Sequence, residues 1–208
     1  EHAKKNLIPR YEKQVVFVHA SFRRLLAELG KLGISRIDGI LFDLGLSSLQ
    51  IDDPTRGFSF RFNAPLDMRF DRRQPLRAED LINRVSQKEL VRIFREYGEE
   101  GRAELFARRI IQARRRKRIT TTFELLDALG LEQRGKGRLH PATKVFMALR
   151  IAVNDELASL REALPQAVSV LRKGGRIAVI SFHSLEDRII KHFLRAEAGK
   201  KNLRILTK

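Results

Sequence analysis

Two short polar segments of this chain contain side chains that can do chemistry, and each follows an apolar run. The first is residues 43–50 (DLGLSSLQ), which begins with Asp43, and the second is residues 181–188 (SFHSLEDR), which contains His183. A carboxylate such as that of Asp43 accepts hydrogen bonds from a ribose hydroxyl or an amine. An imidazole such as that of His183 can act as a base near neutral pH. Together these residue types favour a site that binds a polar ligand and moves a proton.

The apolar runs before these segments predict strands that bring both segments to one edge of a sheet. Residues 37–42 and 177–180 are typical of buried strands, and residues 15–18 predict another. Helix-length segments separate the runs, which is typical of a parallel α/β sheet. In such sheets ligands bind outside the carboxyl ends of the strands, where Gly45 would let the backbone approach a ligand closely. Residues 203–206 predict one further strand.

Each of these side chains also has a purely structural interpretation. Asp43, Ser47 and Ser48 can cap a loop or a helix, as such residues commonly do. A lone histidine is more often a hydrogen-bonded structural residue than a catalyst, so both interpretations of His183 stay open. Ser184 lies outside any G-x-S-x-G turn, which argues against a serine nucleophile.

Composition excludes several classes of protein. The chain has no cysteine, which excludes a disulfide scaffold, thiolate zinc sites and thiol catalysis. Its five histidines show no metal-ligand spacing and it has no G-x-x-x-x-G-K-[ST] motif, so the sequence predicts no metal site and disfavours NTP hydrolysis. No apolar run approaches the ~18 residues that a membrane helix needs.

The chain is strongly basic, with 42 Lys and Arg against 25 Asp and Glu, a net charge of +17. Because 43% of the residues are hydrophobic, the charge does not indicate general disorder. It favours a polyanionic partner such as RNA, DNA or an acidic membrane, against a basic surface with no dedicated partner. The densest run, predicted to contact phosphates unless it is only a solvated helix face, is Arg114, Arg115, Arg116, Lys117 and Arg118.

A helical block interrupts the α/β pattern. Residues 52–74 mix phenylalanine with arginine and predict an ordered loop whose rings either stack on unpaired bases or pack as core. Residues 77–131 are predicted to be helical, with capping boxes that begin at Ser86 and Thr121. The α/β pattern resumes near His140, which is how an insertion into an α/β domain should look.

Several long motifs occur in one order along nearly the whole chain. They are residues 43–54, 56–61, 65–69, 140–146, 149–157 and 180–188. In these motifs the sequence resembles the small-subunit (16S) ribosomal RNA cytosine-N4 methyltransferase family of the MraW/RsmH type.

The resemblance implies a class I S-adenosylmethionine-dependent methyltransferase fold, a Rossmann-like α/β sheet with an inserted all-helical domain. Residues 1–51 and 140–208 would form the discontinuous α/β domain, and residues 52–139 the inserted domain that recognises RNA. The family's first two strands, its glycine-rich cofactor loop and its last strand have no counterpart in the sequence. We therefore expect either a piece of a longer enzyme or a truncated form.

The resemblance also implies an activity and its residues. S-adenosyl-L-methionine would donate a methyl group to the exocyclic N4 amine of a cytosine in the decoding region. Phe22, Asp43 and Gln50 would bind the cofactor, Asp43 with Ser47 would hold the target amine, and His183 would assist.

The implied partner is small-subunit ribosomal RNA or the assembled small subunit, with no membrane. The expected location is the cytoplasm, an organelle being left open, and a homodimer is also left open. The alternative function is a non-catalytic, basic ribosomal-RNA-binding or ribosome-assembly module derived from the same fold.

Overall fold

The computed structural model describes Tyr11, residues 14–132 and residues 140–207. The sequence also predicts the end of a helix at residues 1–10 and a basic, glycine-rich linker at residues 133–138, and both lie outside the described residues. A 3-10 turn at Phe22–Arg24 is followed by α1 (Leu25–Lys31), β1 (Ile37–Asp43), α2 (Ser48–Asp52), α3 (Ala78–Arg84), α4 (Gln87–Gly98), α5 (Ala103–Arg116), α6 (Thr122–Leu129), α7 (Ala142–Asn154), α8 (Glu156–Val170), β2 (Leu171–Ile180) and α9 (Ser184–Gly199). No helix within these described ranges has both the length and the apolar character that crossing a membrane requires.

The chain divides into two compact units. The sheet unit comprises Glu1–Asp43, Ala158–Ser181 and Glu186–Lys208, and the helical unit comprises Leu44–Leu157 and Phe182–Leu185. These borders differ from the predicted domain ranges 1–51, 52–139 and 140–208. The difference arises because α7, predicted as part of the α/β domain, packs on α4 inside the helical unit. The predicted ranges stay a prediction.

The sheet unit is built on a parallel pair of strands. Strand β1 pairs with β2 in a register that sets Asp43 beside Ile180 at their carboxyl ends. The prediction of a strand at residues 15–18 is wrong, because that segment forms no strand and pairs with none among the described residues. The predicted strand at residues 203–206 is wrong for the same reason. The described chain is therefore α/β with a small parallel sheet.

The two strands are less buried than their apolar sequences predict. Leu41 on β1 is 63% exposed and Ile180 on β2 is 45% exposed, whereas Phe42 is buried. The prediction of fully buried strands was wrong because an apolar run indicates burial on both faces only where both faces are covered. In the part of the chain that the structure describes, the face that carries Leu41 stays open.

Two side chains join α8 to the first part of the sheet unit: Gln166, which lies on α8, and Arg36, which lies before β1. The Gln166 side chain accepts a hydrogen bond from the backbone N–H of Leu26 (3.0 Å) and donates one to the carbonyl of Arg23 (2.7 Å). Arg36, just before β1, donates to the carbonyl of Ser169 at 2.7 Å. These contacts fix the start of α1 and of β1 against α8.

The helical unit has one continuous hydrophobic core, built from helices α3 to α7 and the loop before them. Phe94 on α4 and Phe106 on α5 are fully buried in it, and Gly98 allows α4 to approach α7. A methyl group at Gly98 would lie only 2.7 Å from the carbonyl oxygen of Lys144. The Ser86 and Thr121 side chains accept hydrogen bonds from the third backbone N–H of α4 and α6, as predicted. The full capping box is confirmed at Thr121, whereas the Glu89 carboxylate of the predicted box at Ser86 pairs instead with Arg92.

Candidate active site

In the sheet unit, the structure brings two of the predicted cofactor residues close to the end of β1. Asp43 is the last residue of the strand and is exposed to solvent. Phe22 packs edge to face on the ring of Phe42, with centroids 5.9 Å apart and planes at 77°. Because Phe42 directly precedes Asp43, an aromatic face and a carboxylate lie near the carboxyl end of the sheet. Phe22 is 38% exposed and so keeps part of its ring open to a ligand.

In the helical unit, Ser47 and Gln50 contact each other. Ser47 caps α2, because its Oγ accepts a hydrogen bond from the backbone N–H of Gln50. The Gln50 Oε1 in turn accepts one from the backbone N–H of Ser47 at 3.1 Å. The Ser47 hydroxyl therefore has a structural role, which the sequence had offered as the alternative. Among the described residues no acceptor takes the Gln50 Nε2 amide, so that donor can reach a ligand.

Gly45 and Phe182 bring the two polar segments together within the helical unit. Gly45 has φ +84°, a conformation that side-chain-bearing residues rarely adopt. A methyl group there would lie 3.3 Å from Cδ2 of the Phe182 ring. Gly45 thus lies close to an aromatic ring of the second segment, and the approach of a ligand to its backbone stays a prediction.

His183 lies next to a carboxylate that sequence reasoning had not singled out. A ring nitrogen of His183 and a carboxylate oxygen of Glu156 lie within 4.8 Å of each other. Glu156 also forms a two-pronged ion pair with Arg150, with N···O distances of 2.8 and 3.0 Å. The sequence gives little sign of this ion pair. Arg150 lies in the last turns of α7 and Glu156 begins α8, so the two residues are not related by the spacing of a single helix.

Asn154 fixes the loop that precedes α3. Its side chain donates to the carbonyl of Met68 at 2.7 Å and accepts from the backbone N–H of Phe70 at 2.6 Å. In the same loop Arg69 and Asp67 form a buried ion pair at 2.7 Å. Burial alone would raise the pKa of Asp67, but the hydrogen bonds from Arg69 outweigh it and hold the pKa below its ordinary value. The arginine-rich loop is therefore rigidly held.

The loop phenylalanines divide between the two interpretations offered by the sequence. Phe58 is buried, and Phe60 and Phe70 pack against the helical core. Phe62 is 42% exposed, with the Arg61 guanidinium 5.8 Å from its ring centroid. Most of the rings thus serve as core, and Phe62 remains open for stacking.

In the basic run at residues 114–118, some side chains make internal contacts and others stay exposed. Arg114 donates to the carbonyls of Ile82 (2.7 Å) and Val85 (2.8 Å), and burial, followed by the charge of Arg115, lowers its pKa. Lys117 pairs with Glu124 at 2.6 Å and Arg118 with Glu79 at 2.7 Å. Exposed guanidinium groups at the end of α5 are those of Arg115 and Arg116.

Comparison with known proteins adds an independent observation. A family model described as the MraW methylase family matches residues 1–206. A curated relative, the ribosomal RNA small subunit methyltransferase H of Carboxydothermus hydrogenoformans, is 48% identical over 198 residues. That alignment covers 94% of this chain and 63% of the relative, so the chain spans less than two thirds of the relative's length. The chain belongs to the MraW methylase family.

Proposed function

We propose that this chain is part of an S-adenosylmethionine-dependent methyltransferase that acts on the exocyclic N4 amine of a cytosine in small-subunit ribosomal RNA. The family match over residues 1–206 carries this proposal. The parallel β1–β2 pair, with Asp43 at its carboxyl end, supports a class I fold whose cofactor lies at that edge. Membership in a methylase family favours an enzyme over the basic binding module.

The residues at the end of β1 fit an adenosine-containing cofactor. The partly open Phe22 ring offers a face on which an adenine can stack, and Asp43 offers a carboxylate to donor groups of the ligand. Gln50 adds an amide donor in the helical unit. When bound, S-adenosylmethionine supplies an electrophilic methyl group.

The chain's own residues orient the target amine. The nitrogen lone pair of a cytosine amine is delocalised into the ring, so catalysis depends on alignment and on an acceptor for the amine proton. The Asp43 carboxylate accepts a hydrogen bond from that amine. Ser47 contributes by capping α2, which fixes the polar segment that it belongs to, and His183 accepts the released proton.

The basic end of α5 binds the RNA backbone in this proposal. Arg115 and Arg116 are exposed and follow each other at the last turn of the helix. Arg114 supports them by tying α5 to the end of α3 through the Ile82 and Val85 carbonyls. Because the target base must leave its stack to reach a methyl donor, backbone contacts of this kind would hold the RNA beside the site.

Calorimetric titration with S-adenosylmethionine tests the cofactor site. Asp43→Asn keeps the shape of the side chain but removes its charge, and should weaken binding about tenfold, the loss of one charge-assisted hydrogen bond. Asp38→Asn is the matched control, since Asp38 is an exposed carboxylate on the same strand that pairs instead with Arg172. Equal affinities for the Asp43 variant and the control would refute the cofactor role of Asp43.

A further inference from the structure

A cavity of about 460 Å³ opens in the sheet unit, between α8 and α9. Its lining residues are Arg161, Leu164, Arg188, Ile189, His192 and Phe193. The volume lies within the ~300–1,000 Å³ typical of small-ligand sites. Leu164, Ile189 and Phe193 give it an apolar floor, whereas Arg161, Arg188 and His192 lie at the exposed rim.

The rim is positively charged and has no carboxylate of its own among the lining residues. On α9 the exposed residues Arg188, His192 and Arg195 follow helical spacing and form one face. Two carboxylates of α9 pair with lysines: Asp187 with Lys191 and Glu197 with Lys200, both at 2.8 Å. On α8, Glu162 pairs with Arg23 at 2.9 Å. The exposed guanidinium of Arg161, which pairs with no carboxylate among the described residues, therefore offers a site for an anion.

We infer that this cavity is a second RNA-binding site, which takes one unpaired base on its apolar floor and the adjoining phosphates on its rim. Phe193 provides an aromatic surface for the base, and guanidinium groups such as that of Arg161 match phosphate geometry. A duplex cannot offer a free base to the floor, so the site selects single-stranded RNA. The inference rests on the proposed RNA methyltransferase function and extends its RNA contacts to the sheet unit.

Fluorescence anisotropy with a short labelled single-stranded RNA, and with the same sequence as a duplex, tests the inference on this chain. Phe193→Leu keeps an apolar floor but removes the aromatic face, and should weaken single-strand binding about 5- to 100-fold while leaving duplex binding unchanged. Arg161→Ala should lower the slope of log affinity against log salt by about 0.7, the value of one single-strand phosphate contact.

Lys173→Ala is the matched control, because it removes an exposed charge from the sheet unit without touching the cavity lining. Thermal melting followed by circular dichroism establishes that each variant is folded as the wild type is. Losses in the Phe193 and Arg161 variants no larger than in the Lys173 control would overturn the inference. If Arg115→Ala with Arg116→Ala still weakened binding in that case, the proposed function would stand and only the second site would fall. If the wild-type chain bound neither RNA, the inference would be overturned and the RNA contacts of the proposed function with it.

Discussion

The side chains of Arg150 and Glu156 are 15% and 7% exposed, and they join the end of α7 to the start of α8. Glu156 is also a carboxylate close to His183 in the helical unit, within 4.8 Å. A buried carboxylate is tolerated because its charge is paired and its oxygens accept hydrogen bonds. The same ion pair thus sets both a helix junction and the surroundings of a predicted active-site imidazole.

Removing one partner of that ion pair should be costly. Arg150→Met leaves the Glu156 charge buried without its arginine, which should lower the free energy of unfolding by about 3–5 kcal/mol. Urea unfolding measured by circular dichroism gives the value. Arg116→Met, at an exposed position of α5, should change it by less than about 0.5 kcal/mol. Similar small effects for both variants would show that the Arg150–Glu156 pair contributes little to stability.

A second residue-scale prediction concerns pH. The hydrogen bond from Lys117, followed by that from the Thr120 backbone N–H, lowers the pKa of Glu124 from 4.5 to about 2. A carboxyl whose pKa is lower in the folded state stabilises that state above the unfolded pKa, and this stabilisation is lost as pH falls through the folded pKa. The stability advantage of the wild type over Glu124→Gln should therefore shrink between pH 4.5 and about 2. Urea unfolding at several pH values measures it, and a difference that does not vary with pH would contradict the prediction.

At the scale of elements, the ordered loop before α3 depends on one glycine. Gly57 is buried with φ +69°, and a methyl group there would overlap the carbonyl oxygen of Pro65. The loop also carries Phe62, which stays open for stacking. The rigidity of this loop therefore depends on a backbone contact that only glycine permits.

Gly57→Ala should destabilise the protein by more than about 2 kcal/mol, because it adds both a steric clash and an unfavourable backbone conformation. Gly101→Ala is the matched control, since a methyl group at Gly101 meets no atom of the described residues within 4 Å. Differential scanning calorimetry of the two variants gives the comparison. Equal melting temperatures would contradict the account of the loop.

The sequence predicted local features of the elements better than their partners. Ser86 and Thr121 marked helix starts correctly, because a cap is made by residues three positions apart. The segments at residues 15–18 and 203–206 have strand-like composition but no strand beside them among the described residues, and a strand depends on a distant partner. For the same reason the sequence motif around Glu156 could be recognised, whereas its ion pair with Arg150 and its proximity to His183 could not.

At the scale of the whole molecule, the net charge of +17 is partly committed to internal contacts. Arg69 pairs with the carboxylate of Asp67, and Arg114 donates a hydrogen bond to the backbone carbonyl of Ile82. Arg115 and Arg116 remain exposed at the end of α5. The exposed cations, rather than the total charge, are therefore the part of the molecule that an RNA would meet.

The double change Arg115→Ala and Arg116→Ala should weaken RNA binding and make it less sensitive to salt. The slope of log affinity against log salt should fall by about 0.7 for each phosphate of a single strand that the two arginines neutralise in the wild type. Anisotropy titrations at several salt concentrations measure this. Arg172→Ala with Lys173→Ala removes two adjacent exposed cations from the sheet unit and serves as the control. An unchanged slope in the α5 variant would show that its two arginines only form a solvated helix face.

The most direct test of the central claim is to map methyl transfer by this protein. Unmethylated small ribosomal subunits are incubated with the protein and S-adenosylmethionine, and the ribosomal RNA is digested to nucleosides for mass spectrometry. We predict N4-methylcytidine with the wild type, a loss of it with Asp43→Ala, and no loss with Asp38→Ala. Methylation at another atom or another base, or full N4-methylcytidine from the Asp43→Ala protein, would contradict the account.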